Sequence, residues 1–348
     1  MLRLSLLLLA LLVACRIAVA QPVENQAVIL QYHHVSTTTP RSTSVTPDEF
    51  RDHMQFLHDN GFTVLPLPEI VQALKTGKQL PNKTIAITFD DAYISIYTTA
   101  FPLLQQYHWP FTIFVASGLV GRNPKLYLNW DQLREMGKAG VTLANHSVNH
   151  PYMLVLKPGE THAEWLSRVE HEIVDAEQKI LQETGQSHHL HAYPYGEYNQ
   201  EIASLLVRLG YVGFGQHSGA ISASSDFTAL PRFPFSGSFA TLKSFSQKAS
   251  SLAFNVRIKA PLDPVISEPG TSALLDFDGN YRFDKLVCVF NDQVLKISVE
   301  DSAQQIYRIT NPSLQNTRRP RYVCTAPGHD GRYYWFTVPF FNPALPDG

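Results

Sequence analysis

The sequence predicts an α/β fold: a closed or nearly closed barrel of parallel strands and helices, followed by a small antiparallel β-domain. Two observations carry this prediction. From Ala27 to about Ser250, apolar strand-like runs alternate with helix-like segments, which is typical of βα units with a mostly parallel sheet. Beyond a stretch that contains Pro261, Pro264 and Pro269, short alternating runs follow with no helix between them, which is typical of antiparallel sheets.

Each element of the barrel is predicted from its own local signals. The first helix begins at Thr46, because this cap is followed by Pro47 in the first turn and by two acidic residues. Further helices are predicted over 94–107, 130–138, 160–183 and 199–209. Buried apolar runs predict strands at 27–32, 84–89, 111–116, 141–143, 191–193 and 211–214. This number of repeats favours a barrel, and active sites of such barrels lie at the carboxyl ends of the strands.

The antiparallel region is predicted from short alternating runs separated by turn residues. Its strands are expected at 285–290, 294–299, 305–309, 321–324 and 333–338. Residues 333–336 (YYWF) are either a sugar-stacking platform or part of a core strand, and the core is favoured because strand aromatics usually pack inward. The predicted organisation is a signal peptide over 1–20, a barrel domain over 21–252, and a linker with a small β-sandwich-like domain over 253–348.

The first twenty residues predict export. Arg3 precedes an apolar run over 4–14, which is too short to span a bilayer but fits the core of a signal peptide. Residues 18–20 (AVA) form a small-x-small cleavage site. Residues 12–15 (LVAC) also resemble a lipobox that would leave Cys15 acylated, and an uncleaved anchor is a third alternative. The expected location is therefore the periplasm or the cell surface, with an outer-membrane lipoprotein as the alternative.

Composition excludes several classes of protein. With 44% hydrophobic and 17% charged residues among 348, the chain can bury a sizeable core, so global disorder is excluded. A formal net charge of −2 provides no basic field for general nucleic-acid binding. Three cysteines exclude a disulfide-dense scaffold and a cysteine-rich zinc finger. In an exported protein, Cys288 and Cys324 are expected to form a disulfide, with two buried thiols as the alternative.

Two polar motifs follow predicted strands and indicate a metal site. Asp90 and Asp91 end the strand at 84–89, and adjacent carboxylates repel unless a cation or a proton lies between them. His146 and His150 are four residues apart, so one helical turn would place both imidazoles on the same side. Two histidines and a carboxylate are a common ligand set for zinc or another divalent metal. The simpler alternatives are a strand-ending turn and a pair of solvent-exposed histidines.

A third motif, Ala192-Tyr193-Pro194-Tyr195-Gly196, closes another predicted strand. Its proline and glycine fix an unusual backbone that can aim a peptide N–H into a cleft, although an ordinary tight turn would look the same. In this order, the three motifs resemble those of the polysaccharide deacetylases of carbohydrate esterase family 4, the NodB-homology group. The resemblance covers about residues 27–240, and the run Tyr32-His33-His34-Val35 favours the branch that deacetylates exported poly-N-acetylglucosamine.

The resemblance implies a distorted (β/α) barrel and a definite role for each motif residue. Asp90 would be the general base, and Tyr195 would donate its backbone N–H to the oxyanion. A divalent metal would be bound by Asp91, His146 and His150. The expected metal is Zn²⁺, with Co²⁺ or Ni²⁺ as alternatives.

The sequence departs from the family pattern at two positions that affect catalysis. Ala192 stands where the third motif normally has the arginine that orients the base, and Arg232 is a candidate replacement from another strand. The usual C-terminal Leu-x-His motif, the source of the general acid, is not evident, and His217 is a candidate for that role. His33 and His34 are expected to flank the cleft.

The expected function is metal-dependent removal of N-acetyl groups from an N-acetylglucosamine-containing polysaccharide, with release of acetate. Chitin oligomers, peptidoglycan and acetylated xylan are alternative substrates. A carbohydrate-binding protein without turnover is an alternative of another class, which the two departures favour and the intact acidic and histidine motifs oppose. The expected partner is the polysaccharide, with no nucleic acid, and with a membrane contacted only through a lipid on Cys15.

Overall fold

The computed structural model describes residues 25–266, 271–311 and 317–346. The predicted signal peptide over 1–20 and the candidate acylation site Cys15 lie outside these described residues. Within them, no helix combines the length and the apolar character that crossing a bilayer requires.

The N-terminal part is built on a curled nine-stranded sheet, with a short two-stranded ribbon beside it. The order across the large sheet is β10-β1-β5-β6-β7-β8-β9, with β4 beside β5 and β11 beside β1, and only β10 runs antiparallel to its neighbour. The ribbon pairs β2 with β3. The strands are β1 (Gln26–Tyr32), β2 (His34–Val35), β3 (Ser44–Val45), β4 (Thr63–Val64), β5 (Thr84–Asp90), β6 (Thr112–Val115), β7 (Thr142–Asn145), β8 (Leu190–Ala192), β9 (Val212–Phe214), β10 (Ala220–Ser222) and β11 (Phe233–Pro234).

Helices connect most of these strands and cover the sheet. They are α1 (Pro47–Asp59), α2 (Leu67–Thr76), α3 (Phe101–Gln106), α4 (Trp130–Lys138), α5 (His162–Thr184), α6 (Gln200–Leu209) and α7 (Leu242–Ala249). Helix α1 begins with the predicted cap, because the Thr46 hydroxyl accepts from the Glu49 N–H and the Glu49 carboxylate accepts from the Thr46 N–H. The helix predicted over 94–107 is divided into a π-helical turn and α3, where Pro102 cannot donate the backbone bond that a continuous helix needs.

The two ends of the large sheet are brought together by the chain between β9 and β11. The Phe227 carbonyl accepts from the Gly213 N–H at 2.9 Å, and the Leu230 N–H donates to the Gly213 carbonyl at 2.8 Å. The same segment then continues into β11, where Phe233 lies opposite Leu30 of β1. The sheet therefore fits a distorted barrel, which confirms the predicted fold class and places residues 231 and 232 between the first and last parallel strands.

The C-terminal part forms two further sheets, so the predicted antiparallel β-domain is confirmed. One sheet has the order β12-β20-β19-β15-β16 and the other β13-β14-β18-β17. The cysteines pair as predicted, with Cα atoms of Cys288 and Cys324 4.0 Å apart on β15 and β19. The strands are β12 (Leu252–Ala253), β13 (Val256–Ala260), β14 (Ser272–Phe277), β15 (Val287–Phe290), β16 (Gln293–Val294), β17 (Lys296–Asp301), β18 (Ile306–Thr310), β19 (Arg321–Pro327) and β20 (Tyr333–Pro339).

The β-domain packs directly on the barrel. Strand β12 leaves the barrel and pairs in parallel with β20. Trp335 packs edge-on against Phe233 at 5.4 Å between ring centroids, and Phe341 packs against Tyr198 at 5.4 Å. Of the aromatic run at 333–336, only Tyr333 is exposed, so the core interpretation holds for the other three.

Candidate active site and metal centre

The three predicted motifs meet at the carboxyl ends of neighbouring strands. Asp90 ends β5, His146 follows β7, and the third motif follows β8, and these strands lie side by side with only β6 between β5 and β7. Because carboxyl ends of parallel strands share one edge of the sheet, motifs that are up to a hundred residues apart in sequence become neighbours.

Asp91, His146 and His150 converge on one point. The Asp91 Oδ1 atom lies 3.4 Å from His146 Nε2 and 3.3 Å from His150 Nε2. The three ligand atoms all lie within 4.8 Å of one another. Ligands at about 2.0–2.2 Å from a tetrahedral ion would be separated by roughly 3.3–3.6 Å, so the two short separations fit a shared ion. The backbone makes this convergence by turning, with φ of 69° at Asp91 and 53° at His150.

The hydrogen bonding of His146 tests whether these residues fit a metal. Its Nδ1 lies 2.7 Å from the Ala192 carbonyl, which can only accept, so Nδ1 carries the proton of the neutral ring. Nε2 then presents a lone pair, is buried, and finds no hydrogen-bond partner within the described residues. It faces the Asp91 carboxylate, another acceptor, and a cation between these two acceptors would satisfy both. The donor set therefore fits a divalent ion.

Electrostatics keep two of the candidate ligands, Asp91 and His150, in metal-binding form. Burial, followed by the neighbouring His146, lowers the pKa of His150 to about 4, so this ring is neutral near pH 7. Burial by itself would raise the pKa of Asp91, but the adjacent imidazoles of His146 and His150 lower it overall. A neutral imidazole and an ionised carboxylate are the forms that bind a metal.

Asp90 stands apart from this group and is held by Arg232. Both side chains are fully buried. Arg232 Nη1 donates to Asp90 Oδ1 at 2.7 Å and Nη2 donates to Oδ2 at 2.8 Å, while Gln31 Nε2 donates to Oδ2 at 2.6 Å. Burial would raise the pKa of Asp90, but the charge and the hydrogen bonds of Arg232 lower it overall. Arg232, from the segment that closes the barrel, thus makes the contact with Asp90 for which it was a candidate, and it is the cation that holds this carboxylate.

The third motif places Tyr195 against the candidate metal centre. Residues Pro194–Gly196 form a short turn in which Tyr195 has a φ of 57°. Its ring meets the ring of His150 at 4.5 Å and stacks on Tyr152 at 4.0 Å. Gly196 has a φ of 71°, and a Cβ there would lie 2.7 Å from the backbone nitrogen of Gln216, so glycine is required for this turn.

A buried carboxylate that sequence reasoning missed supports the same turn from the β-domain. Glu197 is fully buried and accepts from Arg318 Nε at 2.5 Å, from Arg318 Nη2 at 2.8 Å and from Arg319 Nη1 at 2.9 Å. The Arg318 guanidinium also lies 4.5 Å from the centre of the Tyr152 ring. Through these contacts the β-domain stabilises the turn that contains Tyr195. No local sequence signal reveals this contact, because its partners are 121 residues apart.

The remaining histidines differ in their distance from Asp90. His33 Nε2 lies 4.0 Å from Asp90 Oδ2. His34 stacks on Tyr93 at 3.6 Å, and burial lowers its pKa to about 4. Burial, then the charges of Arg321 and Arg232, lower the pKa of His217 to about 3. An uncharged His217 does not suit the role of general acid at neutral pH, so His33 is the better-placed candidate.

Comparisons with known proteins agree with this geometry. Residues 77–214 match the sequence profile of the family described as polysaccharide deacetylase. The Bacillus subtilis protein YxkH, named for the same family, is 31% identical over 205 residues, which are 59% of this chain and 69% of that protein. The Escherichia coli poly-β-1,6-N-acetyl-D-glucosamine N-deacetylase is 27% identical over 64% of this chain, but the match spans only 38% of that enzyme.

Among solved structures, the Streptococcus pyogenes deacetylase PplD, determined in complex with acetate, superposes with a TM-score of 0.57 and 27% identity, covering 64% of this chain and 98% of PplD. The profile match over residues 77–214 contains the three motifs. The chain therefore belongs to the polysaccharide deacetylase family, the NodB-homology group that the motifs predict, whose enzymes are hydrolases acting on amide bonds.

Proposed function

We propose that this chain is a metal-dependent N-deacetylase that releases acetate from the N-acetylglucosamine units of an exported, poly-N-acetylglucosamine-like polysaccharide. One observation carries the proposal. A two-histidine, one-carboxylate cluster lies beside a separate buried carboxylate, Asp90, which Arg232 keeps ionised. This pairing of a ligand set with an independent base suits metal-assisted hydrolysis of an unreactive amide.

In this proposal, Asp91, His146 and His150 hold the ion, and two imidazole nitrogens with one carboxylate oxygen suit Zn²⁺, with Co²⁺ or Ni²⁺ as alternatives. When bound, such an ion supplies a more acidic water and polarises a carbonyl group. Three protein ligands leave an open position for these oxygens. His146 is oriented for this role by its bond to the Ala192 carbonyl.

The protein residues divide the proton transfers between them. Asp90 takes a proton from the water that attacks the acetamide carbon, and Arg232 limits how far the carboxylate can rotate as it does so. The backbone N–H of Tyr195 donates to the carbonyl oxygen as negative charge develops there. His33, whose Nε2 lies 4.0 Å from Asp90 Oδ2, delivers a proton to the departing glucosamine nitrogen. Acetate and a glucosamine unit are the products.

The substrate proposal is supported by the name of the Escherichia coli relative, a poly-β-1,6-N-acetyl-D-glucosamine N-deacetylase. Staphylococcus aureus proteins of the same name match 60% of this chain at 27% identity. Chitin oligomers, peptidoglycan and acetylated xylan are the alternative substrates for the same site. Export to the periplasm or cell surface follows from the N-terminal sequence, with a lipid on Cys15 as a second route to the same compartment.

A panel assay tests the proposal. The full chain is purified, stripped with a chelator, reloaded with Zn²⁺, Co²⁺ or Ni²⁺, and assayed for acetate release from poly-N-acetylglucosamine, chitin oligomers, peptidoglycan and acetylated xylan. We expect release from poly-N-acetylglucosamine only after metal is restored. Faster acetate release from another glycan would make that glycan the preferred substrate instead of poly-N-acetylglucosamine. Equal activity with and without metal would contradict the metal dependence. If the protein binds a glycan but no metal-loaded form releases acetate, the result would support the alternative of a carbohydrate-binding protein without turnover.

A further inference from the structure

A cavity of about 350 Å³ opens between the barrel and the β-domain, next to the Tyr195 turn. Tyr195, Gly196 and Gln216 line it from the barrel, and Arg318, Arg319 and Arg321 line it from the β-domain. None of the three candidate metal ligands lines it. The cavity is therefore a separate space that shares one wall, Tyr195, with the proposed catalytic site.

The described residues that line the cavity include three arginines and no carboxylate. Glu197 pairs with Arg318 and Arg319, but the Arg321 guanidinium forms no hydrogen bond or ion pair with any of the described residues. The ionisable groups that interact electrostatically with Arg321 are Arg319, His217 and Lys248, and none of them is a carboxylate. This excess of basic groups is local, because the chain as a whole has a formal net charge of −2.

The Arg321 guanidinium lies among other basic side chains, and an anion bound beside it would offset the repulsion between Arg321 and Arg319. Arginine binds carboxylate and phosphate oxygens through paired hydrogen bonds, and Arg321 is solvent-accessible, so an incoming anion can reach it. The volume lies within the range of small-molecule sites, which suits a single sugar ring with its substituents. Arg318 is fixed by the Pro343 and Leu345 carbonyls as well as by Glu197, so the wall is preorganised.

We propose that this cavity is a subsite for an acidic sugar unit of the glycan, with Arg321 as the main contact to its carboxylate or phosphate and Arg319 as the second. The proposal rests on the proposed function of the neighbouring site, whose Tyr195 the cavity shares. A pure N-acetylglucosamine homopolymer has no such group. The subsite therefore predicts a preference, among N-acetylglucosamine-containing glycans, for those in which an anionic unit or substituent lies near the N-acetyl group that is removed.

Direct binding tests the subsite without any reaction. Calorimetric titration of the metal-loaded full chain compares three probes: glucuronate, glucose 6-phosphate and uncharged glucose. We expect the two anionic sugars to bind and glucose not to bind, with affinity falling as salt rises. Arg321→Gln should weaken anionic-sugar binding by roughly 10- to 100-fold, the scale of a charge-assisted hydrogen bond. Arg257→Gln, an exposed arginine elsewhere in the β-domain, is the matched control and should bind like the wild type.

Kinetics separate the subsite from the catalytic site. With acetylated oligosaccharides of equal length, Arg321→Gln should raise KM for the acidic one, leave its kcat unchanged, and leave both constants unchanged for the neutral one. Equal binding of glucuronate, glucose 6-phosphate and glucose, or unchanged binding in Arg321→Gln, would overturn the subsite. Absence of acetate release from every glycan would instead contradict the proposed function. In that case the binding of anionic sugars would still test the proposed subsite.

Discussion

Arg232 holds both carboxylate oxygens of Asp90, with hydrogen bonds of 2.7 and 2.8 Å between side chains that are both fully buried. The two residues are 142 positions apart and meet only because the chain before β11 closes the barrel beside β1. A bidentate ion pair of this kind fixes the orientation of the carboxylate and also keeps it ionised. Orientation and charge are the two properties that a general base needs.

The first prediction concerns Asp90→Asn. The amide keeps the shape of the side chain but removes its basicity, so turnover should fall by roughly 10²–10⁴. Metal content should be retained, because Asp90 is not among the three convergent ligands. Acetate release measures the turnover, and elemental analysis of the same preparation measures the metal content. Asp48→Asn, on the surface, is the control. Loss of the metal would make Asp90 a ligand, and near-wild-type turnover with metal bound would exclude it as the base.

The second prediction is a double-mutant cycle. Arg232→Gln should lower turnover, because the charge and the second hydrogen bond that orient Asp90 are lost. Added to Asp90→Asn, it should lower turnover little further, so that the effects of the two changes differ from additivity by at least about 1 kcal/mol. Arg51→Gln, in an exposed ion pair, should be additive with Asp90→Asn. Additive effects of Arg232→Gln would show that Arg232 acts on the fold alone.

The contrast between Asp90 and Arg232 shows what sequence can predict here. The strand ending in Asp90 was predictable because its apolar residues are continuous and local, and helix α4 begins and ends at the predicted residues for the same reason. The partner of Asp90 was only a candidate, because it depends on how the sheet closes. The stretch after 253 resembles a linker through its prolines, yet β13 forms there by pairing with β14, a contact that no local pattern contains.

The third prediction concerns metal binding by His146. Its Nδ1 is occupied by the Ala192 carbonyl, so Nε2 is the atom available to the ion. His146→Ala should therefore lose bound metal and activity together, as measured by elemental analysis and by Zn²⁺ titration of the stripped protein. His171→Ala, on the exposed surface of α5, is the control. Unchanged metal content in His146→Ala would defeat the ligand assignment.

The fourth prediction concerns the contact of the β-domain with the Tyr195 turn. Glu197→Gln keeps the size of the side chain but leaves Arg318 in a buried position without its counter-charge. Breaking one side of a buried pair typically costs about 3–5 kcal/mol in the free energy of unfolding, and kcat should fall as the turn loosens. Glu300→Gln, in an exposed pair with Arg308, should change the unfolding free energy by less than about 1 kcal/mol. Equal effects of the two changes would show that Glu197 contributes no more than a surface charge.

The fifth prediction uses a buried lysine away from the metal centre. Burial, followed by the charge of Arg321, lowers the pKa of Lys248 to about 8. The unfolded chain, with a lysine pKa of about 10.4, therefore binds a proton that the native state releases between about pH 8 and 10.4. Stability should rise with pH through this window, and below about pH 8 the native state bears the whole penalty, on the order of 3 kcal/mol. The Phe239 ring, 4.4 Å from Nζ, offsets part of it, by roughly 0.5–2 kcal/mol.

Lys248→Met removes both effects and shows which of them is larger. Because the penalty of burial exceeds the attraction to the ring, the methionine variant should be more stable than the wild type at pH 7 by about 1–2 kcal/mol. The difference should shrink toward about pH 10, where the native lysine is already neutral. Urea unfolding of both proteins at several pH values measures it, and Lys243→Met, exposed on the same helix, should show no such trend. A methionine variant that is less stable at pH 7 would mean that the contact with Phe239 outweighs burial and that Lys248 stays charged.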